Sequence, residues 1–407
     1  MFSIAVAQGH DRAVDWTAPT SEIVQKIRSV ERQQGLLDHI AGQSFYLHGV
    51  HEEDELRGKP GKIIAWRGDA VCRATGDGAV WITHLRAQHA PPGEQSFKLP
   101  ATHVLREYLS QRNIREAALP IHTAPSGRTY RDIWYEDRNG VGYLFFEFHN
   151  GAMSTRHCQR LLAAYEYARQ RPNKVIVLMG GRDVWSNGIH LSVIEAAEDC
   201  ADESWRNINA MNDLVREIIL TDSQLVVSAL SGNAGAGGVI LALGADRVVA
   251  HSGVILNPHY RSMGGLYGSE YWTYLLPRRV GADAAIRLTS DCQPLGANEA
   301  VRIGLIDAVL GTNARELRTR VRAEAEAMAA DPNHGPLLED KGRQREQDER
   351  AKPLSAYRQE ELARMHENFY GADRSYHNAR RRFVRKLSPT FRSASLSAQP
   401  VTALSPR

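Results

Sequence analysis

A chain of 407 residues with 43% hydrophobic and 24% charged residues is too long for one ordinary core and suits two or three globular domains. Its net charge of +3 excludes a nucleic-acid footprint spread over the whole surface. It has no basic-then-apolar leader and no run of about 18 apolar residues, so neither export nor a membrane span is supported and a cytoplasmic protein is expected. In chain order, residues 15–37 begin with a turn, offer Thr20 or Ser21 as a cap, and place Ile23, Ile27 and Val30 at helical spacing. SFYLHGV, GKIIAWR, DAVCRAT and AVWITHL follow as short β-forming segments between the turn signals RGD and GDG. They predict a small β-barrel with one helix over residues 1–88, and the irregular residues 89–136 read as a connecting stretch.

VGYLFFEFHNGAMS then opens with an apolar strand, after which Cys158, Leu161, Leu162, Tyr165 and Ala168 recur at helical spacing. KVIVLMGGRDVWSNG is a second strand running into a glycine loop, and SWRNINAMNDLVREIIL is a helix with Ser204 as its expected cap. QLVVSALSGNAGAGGVILALGADRVVA reads strand, glycine loop, helix, strand. Such alternation predicts an α/β layered domain, placed at 137–335. EDKGRQREQDERAKP reads as a solvated helix face or linker within a helical extension at 336–388, and the Ser- and Pro-rich residues 389–407 as a disordered tail. The four cysteines, Cys72, Cys158, Cys200 and Cys292, form no CxxC pair, so no disulfide framework, zinc knuckle or other metal is expected.

Two loops carry the chemistry: GGRDVWSNG at 180–188 and SGNAGAGG at 231–238. Each follows an apolar strand and frees backbone N–H groups. Side by side, one N–H from each can aim at a single oxygen and stabilise charge developing on an acyl carbonyl. The same glycines equally suit tight packing of strand against helix. Spacing alone leaves both readings open.

Between Leu144 and Gly311, the segments HNGAMS, VWSNGIHL, LSGNAGAGGVILALGAD, RVGADAAIRLTSD and ANEAVRIGLIDAVL resemble the crotonase (enoyl-CoA hydratase/isomerase) family in order and spacing. The resemblance implies a crotonase-like spiral of α/β class, of the ClpP/crotonase superfamily, that binds coenzyme A. It places backbone oxyanion-hole N–H groups at Asn187 and Gly237, and it sets Asn150, Gly151, Ala152, Met153, Ser186 and Gly188 against the adenosine end of CoA. Where enoyl-CoA hydratases carry their two catalytic carboxylates, this chain has Ile240 and His259. Hydration by a carboxylate pair is therefore not expected, because Ile240 cannot handle a proton. NPHYRSMGGLYGSEYW offers His259, Tyr260 and Glu270 instead as catalytic candidates. Taken singly, a tyrosine is commonly packed and a glutamate commonly solvated; their place beside an acyl pocket gives them a catalytic reading.

This altered motif continues into KPLSAYRQEEL and NFYGADRSYHNARRRFVRK, and it is preceded by DWTAPTSEIVQKIR, ELRGKPGKIIAW and ATGDGAVWI, which are similar to the C-terminal β-barrel of methionyl-tRNA formyltransferase. Together they resemble the HypX/HoxX-type hydrogenase maturation factors. That implies a lyase releasing carbon monoxide from formyl-CoA for a nickel-iron hydrogenase. From their place beside the pocket, Tyr260 and Glu270 are expected to orient the formyl group and relay its proton to the leaving thiolate. Such proteins begin with a formyltransferase catalytic domain that nothing before Asp15 can supply, so a truncated or split form is expected. Tetrahydrofolate is then not expected on this chain, and a separate formyltransferase domain and hydrogenase maturation proteins are the expected partners. Three readings compete: a crotonase hydrolase or isomerase on another acyl-CoA, a non-catalytic CoA-binding scaffold, and RNA binding by the barrel. The acidic HEEDE at 51–55 speaks against the last.

Overall fold

The computed structural model describes residues 14–387, apart from residues 32 and 93. The tail expected at 389–407 and the first positions of the expected barrel lie outside the described residues. Ile23, Val24 and Ile27 make one buried stripe along α1 (Thr20–Val30). Neither Thr20 nor Ser21 caps this helix, which opens on Pro19 without a side-chain cap. Asp77 serves from across the unit, accepting the Thr20 N–H and the Thr20 hydroxyl at 2.8 Å each. The helix ends at Val30, and Gly35, at φ +84°, turns the chain into a strand where the sequence suggested more helix.

Strands β1 (Leu36–Ile40), β2 (Gln43–Glu53), β3 (Ile63–Arg67), β4 (Ala70–Ala74) and β5 (Ala79–Ala87) form an antiparallel sheet in the order β1-β2-β5-β4-β3. The short β6 (Leu99–Pro100) pairs with the end of β5 that β4 leaves free. Val71, Val80 and Ile82 face a core closed by α1, α2 (Ala101–Val104) and α3 (Arg106–Gln111). Cys72 and Trp81 point the other way, onto Tyr130. Residues 99–111, read above as part of a connecting stretch, thus contribute to the first core.

The second unit opens with the hairpin β7 (Ile133–Arg138) and β8 (Val141–Phe146), joined at Asn139 and Gly140, both at positive φ as a tight hairpin turn requires. The chain then runs through α4 (Thr155–Arg169), β9 (Val175–Met179), β10 (Val184–Ser186), α5 (Leu191–Ala196), α6 (Cys200–Ile219), β11 (Leu225–Leu230), β12 (Asn233–Gly235), α7 (Gly237–Leu243), β13 (Arg247–Ala250) and β14 (Ile255–Asn257). After these come α8 (Trp272–Val280), α9 (Ala282–Asp291), β15 (Leu295–Gly296), α10 (Ala297–Arg302) and β16 (Ala308–Val309). The larger sheet has the order β16-β13-β11-β9-β8-β7 and is parallel except for the opening hairpin. β8, β9 and β11 are buried on both faces, which is why they read as continuous apolar runs rather than alternations. Leu317, Val321 and Ala325 of α11 (Ala314–Ala330) cover one face, and α4 and α6 cover the other.

Asp199, not Ser204, caps α6: its Oδ1 accepts the N–H groups of Ala201 and Asp202 at 2.8 and 3.0 Å. Ser204 lies inside the helix and donates its hydroxyl to the Cys200 carbonyl at 2.6 Å. Three further helices complete the described residues: α12 (His334–Ala351), α13 (Leu354–Tyr370) and α14 (Ser375–Arg385). The charge run of the sequence falls on α12, whose one buried residue is His334. α14 spans both units, because Arg385 pairs with Glu195 of α5 and with Glu94 of the first unit.

Candidate active site

A second, four-stranded sheet, β10-β12-β14-β15, carries the site. β10, β12 and β14 run parallel, so their C-terminal ends lie side by side. Each end releases a loop: Asn187–Gly188 after β10, Ala236–Gly237 after β12, and His259–Tyr260 after β14. The two glycine loops singled out in the sequence are therefore neighbours, and a Cβ placed on Gly188 would stand 3.2 Å from the Gly237 nitrogen. Ala236 sits at φ 48°, and Gly237 is the first residue of α7, so its N–H has no acceptor within the helix. These loops border a cavity of about 760 Å³.

The predicted backbone donors fare differently. Both Gly237 and Asn187 line the cavity, but the Asn187 N–H is already donated to the Gly151 carbonyl at 2.7 Å. The expectation that Asn187 supplies an oxyanion-hole N–H is corrected accordingly. Of the six residues expected to meet CoA, Asn150 and Ala152 line the cavity. The other four stitch the loops together. The Met153 N–H donates to the Gly188 carbonyl at 2.9 Å, Gly151 accepts from Asn187, and the Ser186 hydroxyl lies 3.1 Å from Met153 Sδ and accepts the Gly188 N–H at 3.1 Å. Met153 and Ser186 are fully buried, and neither lines the cavity.

Tyr260 and Glu270 come together at the cavity wall. The Tyr260 hydroxyl donates to Glu270 Oε2 at 3.0 Å, and the Ser269 N–H donates to the same oxygen at 3.1 Å. Burial pushes the Glu270 carboxyl up to about 8, with the nearby Glu361 adding to the rise, while the Tyr260 bond works the other way. Burial first, then the Glu270 charge, holds the Tyr260 phenol well above its ordinary value. A Cβ on Gly237 would collide with the Glu270 carboxylate, so this position needs glycine for close approach. His259 also borders the cavity; it is half-buried, its Nδ1 is 3.1 Å from the Ser262 hydroxyl, and burial lowers its pKa. Ile240, at the position of the lost carboxylate, is fully buried in the apolar core.

Sequence reasoning missed several residues here. Asn212 of α6 accepts the Glu270 N–H at 2.7 Å. Glu361 of α13 accepts from Tyr271 and Thr273. Arg86 and Lys98 of the first unit and Lys386, just beyond α14, line the same cavity as cations. His84 of β5, His149 and His190 line it as well. The His84 ring stacks on His149 with centroids 4.1 Å apart, and the His190 ring lies parallel at 6.4 Å. Burial pushes His190 down to about 3 and His149 to about 4. Nearby, His157 of α4 stands 2.8 Å from Asp69, which lies between β3 and β4, so this junction joins the two units. No short motif could have signalled it, since single histidines spread over 100 residues carry no spacing. Among the described residues, no group of three or more His, Cys, Asp or Glu is placed to hold a metal, and no helix is long and apolar enough to cross a membrane.

The comparisons agree with this two-part architecture. The family described as "Enoyl-CoA hydratase/isomerase" matches residues 137–394, and "Formyl transferase, C-terminal domain" matches residues 8–96. The hydrogenase maturation factor HoxX of Bradyrhizobium diazoefficiens is 49% identical over 378 residues, which cover 93% of this chain and 64% of that protein. The crystal structure of HypX from Aquifex aeolicus in complex with tetrahydrofolic acid superposes with a TM-score of 0.89 at 43% identity, covering 93% of this chain and 66% of that one. This chain thus spans just under two thirds of each relative's length. An enoyl-CoA hydratase from Bacillus halodurans, 19% identical with a TM-score of 0.55, shares the fold over 61% of this chain and 99% of its own. With more than half of its residues matched by that family, the chain belongs to the enoyl-CoA hydratase/isomerase family and is a homologue of the HypX and HoxX proteins.

Proposed function

We propose that this chain binds a CoA thioester and decarbonylates formyl-CoA, supplying carbon monoxide for maturation of a nickel-iron hydrogenase. The observation that carries the reading is the buried Tyr260–Glu270 pair set against Gly237 in a cavity that also presents Arg86, Lys98 and Lys386. The three cations suit the phosphates of CoA, and the Gly237 N–H suits the thioester oxygen. Burial pushes the Glu270 carboxyl up to about 8, so an ionised fraction is present near neutral pH; in that form it takes the formyl proton as the carbon–sulfur bond breaks and returns it to the departing thiolate, giving CO and free CoA. Tyr260 donates to the carboxylate while it is charged. No water is activated, which fits the loss of the hydratase carboxylates. A hydrogenase maturation system is the setting because the HoxX relative is named for that role.

A second reading has one observation in its favour: Ile208, Met263, Leu266 and Met365 give the cavity an apolar wall that would accept a longer acyl chain, as for a hydrolase or isomerase. The test is CO release from formyl-CoA, trapped with reduced haemoglobin, beside turnover of acetyl- to octanoyl-CoA. CO from formyl-CoA alone supports the proposal; turnover of the longer thioesters without CO overturns it. Formyl-tetrahydrofolate alone should give no CO, since the two matched units are a formyl transferase C-terminal domain and an enoyl-CoA hydratase/isomerase domain and neither is a formyltransferase catalytic domain.

A further inference from the structure

Glu270 and Tyr271 both stand at φ +63°, a left-handed conformation that side-chain-bearing residues rarely adopt singly and still more rarely in succession. The turn persists because donors on either side of it are taken by fixed acceptors. Asn212 holds the Glu270 N–H. Beyond it the acceptor is Glu361, fully buried on α13. Its Oε2 accepts the Tyr271 N–H at 2.9 Å and the Ser269 hydroxyl at 3.3 Å; its Oε1 accepts the Thr273 N–H at 2.8 Å and the Thr273 hydroxyl at 2.5 Å. Farther along the same helix, Met365 Sδ and Asn368 Oδ1 receive the N–H groups of Gly268 and Tyr267 at 3.2 and 2.9 Å. Among the described residues, every donor to the Glu361 carboxylate comes from residues 269–273, so this buried carboxylate is spent on the loop that bears Glu270.

We propose that Glu361 is a positioning residue, which pins the left-handed Glu270–Tyr271 turn and sets the charge environment in which the Glu270 carboxyl, seated between Gly237 and Tyr260, exchanges a proton. The proposal rests on the role given to Glu270 above. The titratable groups facing Glu270 are Tyr260 from the loop after β14, Cys158 from α4 and Glu361 from α13; α6 and α7 present the neutral Asn212 and Gly237. Tyr260 and Tyr267 face Glu361 in turn. Of these, Glu361 is the carboxylate, and its charge opposes ionisation of Glu270.

A pH-difference infrared titration reads this without substrate. The protonated-carboxyl band that disappears in Glu270→Gln belongs to Glu270. In Glu361→Gln its midpoint should fall by about one pH unit, because a like charge has been removed. Turnover should fall about tenfold with KM for the CoA thioester unchanged, since the reacting group is displaced while the cofactor's contacts persist. A merely structural role would lower stability and leave the midpoint in place, and that result overturns the proposal. If Glu361→Gln fails to fold, Thr273→Val removes one donor, leaves Glu361 less readily ionised, and should move the Glu270 band the same way by less; an unmoved band again overturns it. A shifted band in a chain that releases no CO supports the role of Glu361 and refutes decarbonylation instead.

Discussion

Two sets of buried titratable groups approach the same cavity and are held in opposite ways. At the junction of the two units the groups are imidazoles: burial pushes His48 down to about 3, His190 to about 3 and His149 to about 4. Neither ring nitrogen of His48, nor His84 Nε2, has a hydrogen-bond partner among the described residues. In the loop after β14 the groups are carboxyls: burial pushes Glu270 up to about 8 and Glu361 to about 7, and each receives several donors. Burial favours the uncharged form in both places, so bases shed protons and acids keep them. The difference lies in the partners. The stacked rings have at most a local partner each, Val193 N–H for His190 and the Thr83 hydroxyl for His84, and fill space between units, whereas the two carboxyls gather N–H and O–H groups that fix their direction. Burial alone therefore does not mark a reacting group; converging donors mark a carboxyl that is held in place, and of Glu270 and Glu361 only Glu270 lines the cavity.

The largest effect that would break this comparison is on turnover. Tyr260→Phe and Glu270→Gln should each lower CO release from formyl-CoA by about 10²- to 10⁴-fold, the usual weight of a proton-transfer group, with CoA affinity by calorimetry within a few-fold. Asp69→Asn should do the converse. It removes the partner of His157 in a buried pair, so denaturant unfolding should show a loss of about 3 kcal/mol, with turnover per folded molecule unchanged. If Asp69→Asn abolished turnover while stability held, the junction would belong to the chemistry and the contrast would fail.

Much of this was legible because the physics that builds the strands also marks them. Double-faced burial turns β8, β9 and β11 into apolar runs, and the glycine loops follow directly. Strand β1 was hidden by its own core: Asp38 points inward to pair with buried Arg73, so LLDHI shows no apolar alternation and reads as the end of α1. The Asn187 assignment failed because sequence gives loop membership but not which N–H the neighbouring loop consumes; the Gly151 carbonyl decides that. Ser204 looked like a cap by type, yet the helix starts one turn earlier at an equally suitable Asp199. Glu361 was invisible for a further reason. It stands in QEEL on a helix rich in charge, where a glutamate is ordinarily solvated, and its partners lie about 90 residues earlier.

The two sets should also part under pH. Glu270 has a folded pKa raised above its ordinary 4.5, so its contribution to stability is complete below that value and is lost as pH rises through about 8. Glu270→Gln should therefore match wild type near pH 4 and exceed it near pH 9, by an amount on the order of 5 kcal/mol by urea unfolding. Equal stability at both ends would mean that Glu270 is not buried as an acid.

The smallest effect belongs to the junction and runs the other way. His48 is held well below its ordinary 6.5, so the folded chain binds its proton less readily than the unfolded chain. Its contribution is complete above 6.5 and is lost as pH falls toward about 3. At pH 5, some 1.5 units below the ordinary value and at about 1.4 kcal/mol per unit, that loss is about 2 kcal/mol. His48→Leu removes the proton-binding site, and with it two ring nitrogens that have no partner, while keeping an apolar side chain in the sheet. It should be close to wild type at pH 7 and more stable at pH 5, as read from the shift in urea midpoint between the two conditions. A pH-independent difference between His48→Leu and wild type would show that packing alone separates them, and the acid-sensitive half of the comparison would have to be assigned to His149 and His190.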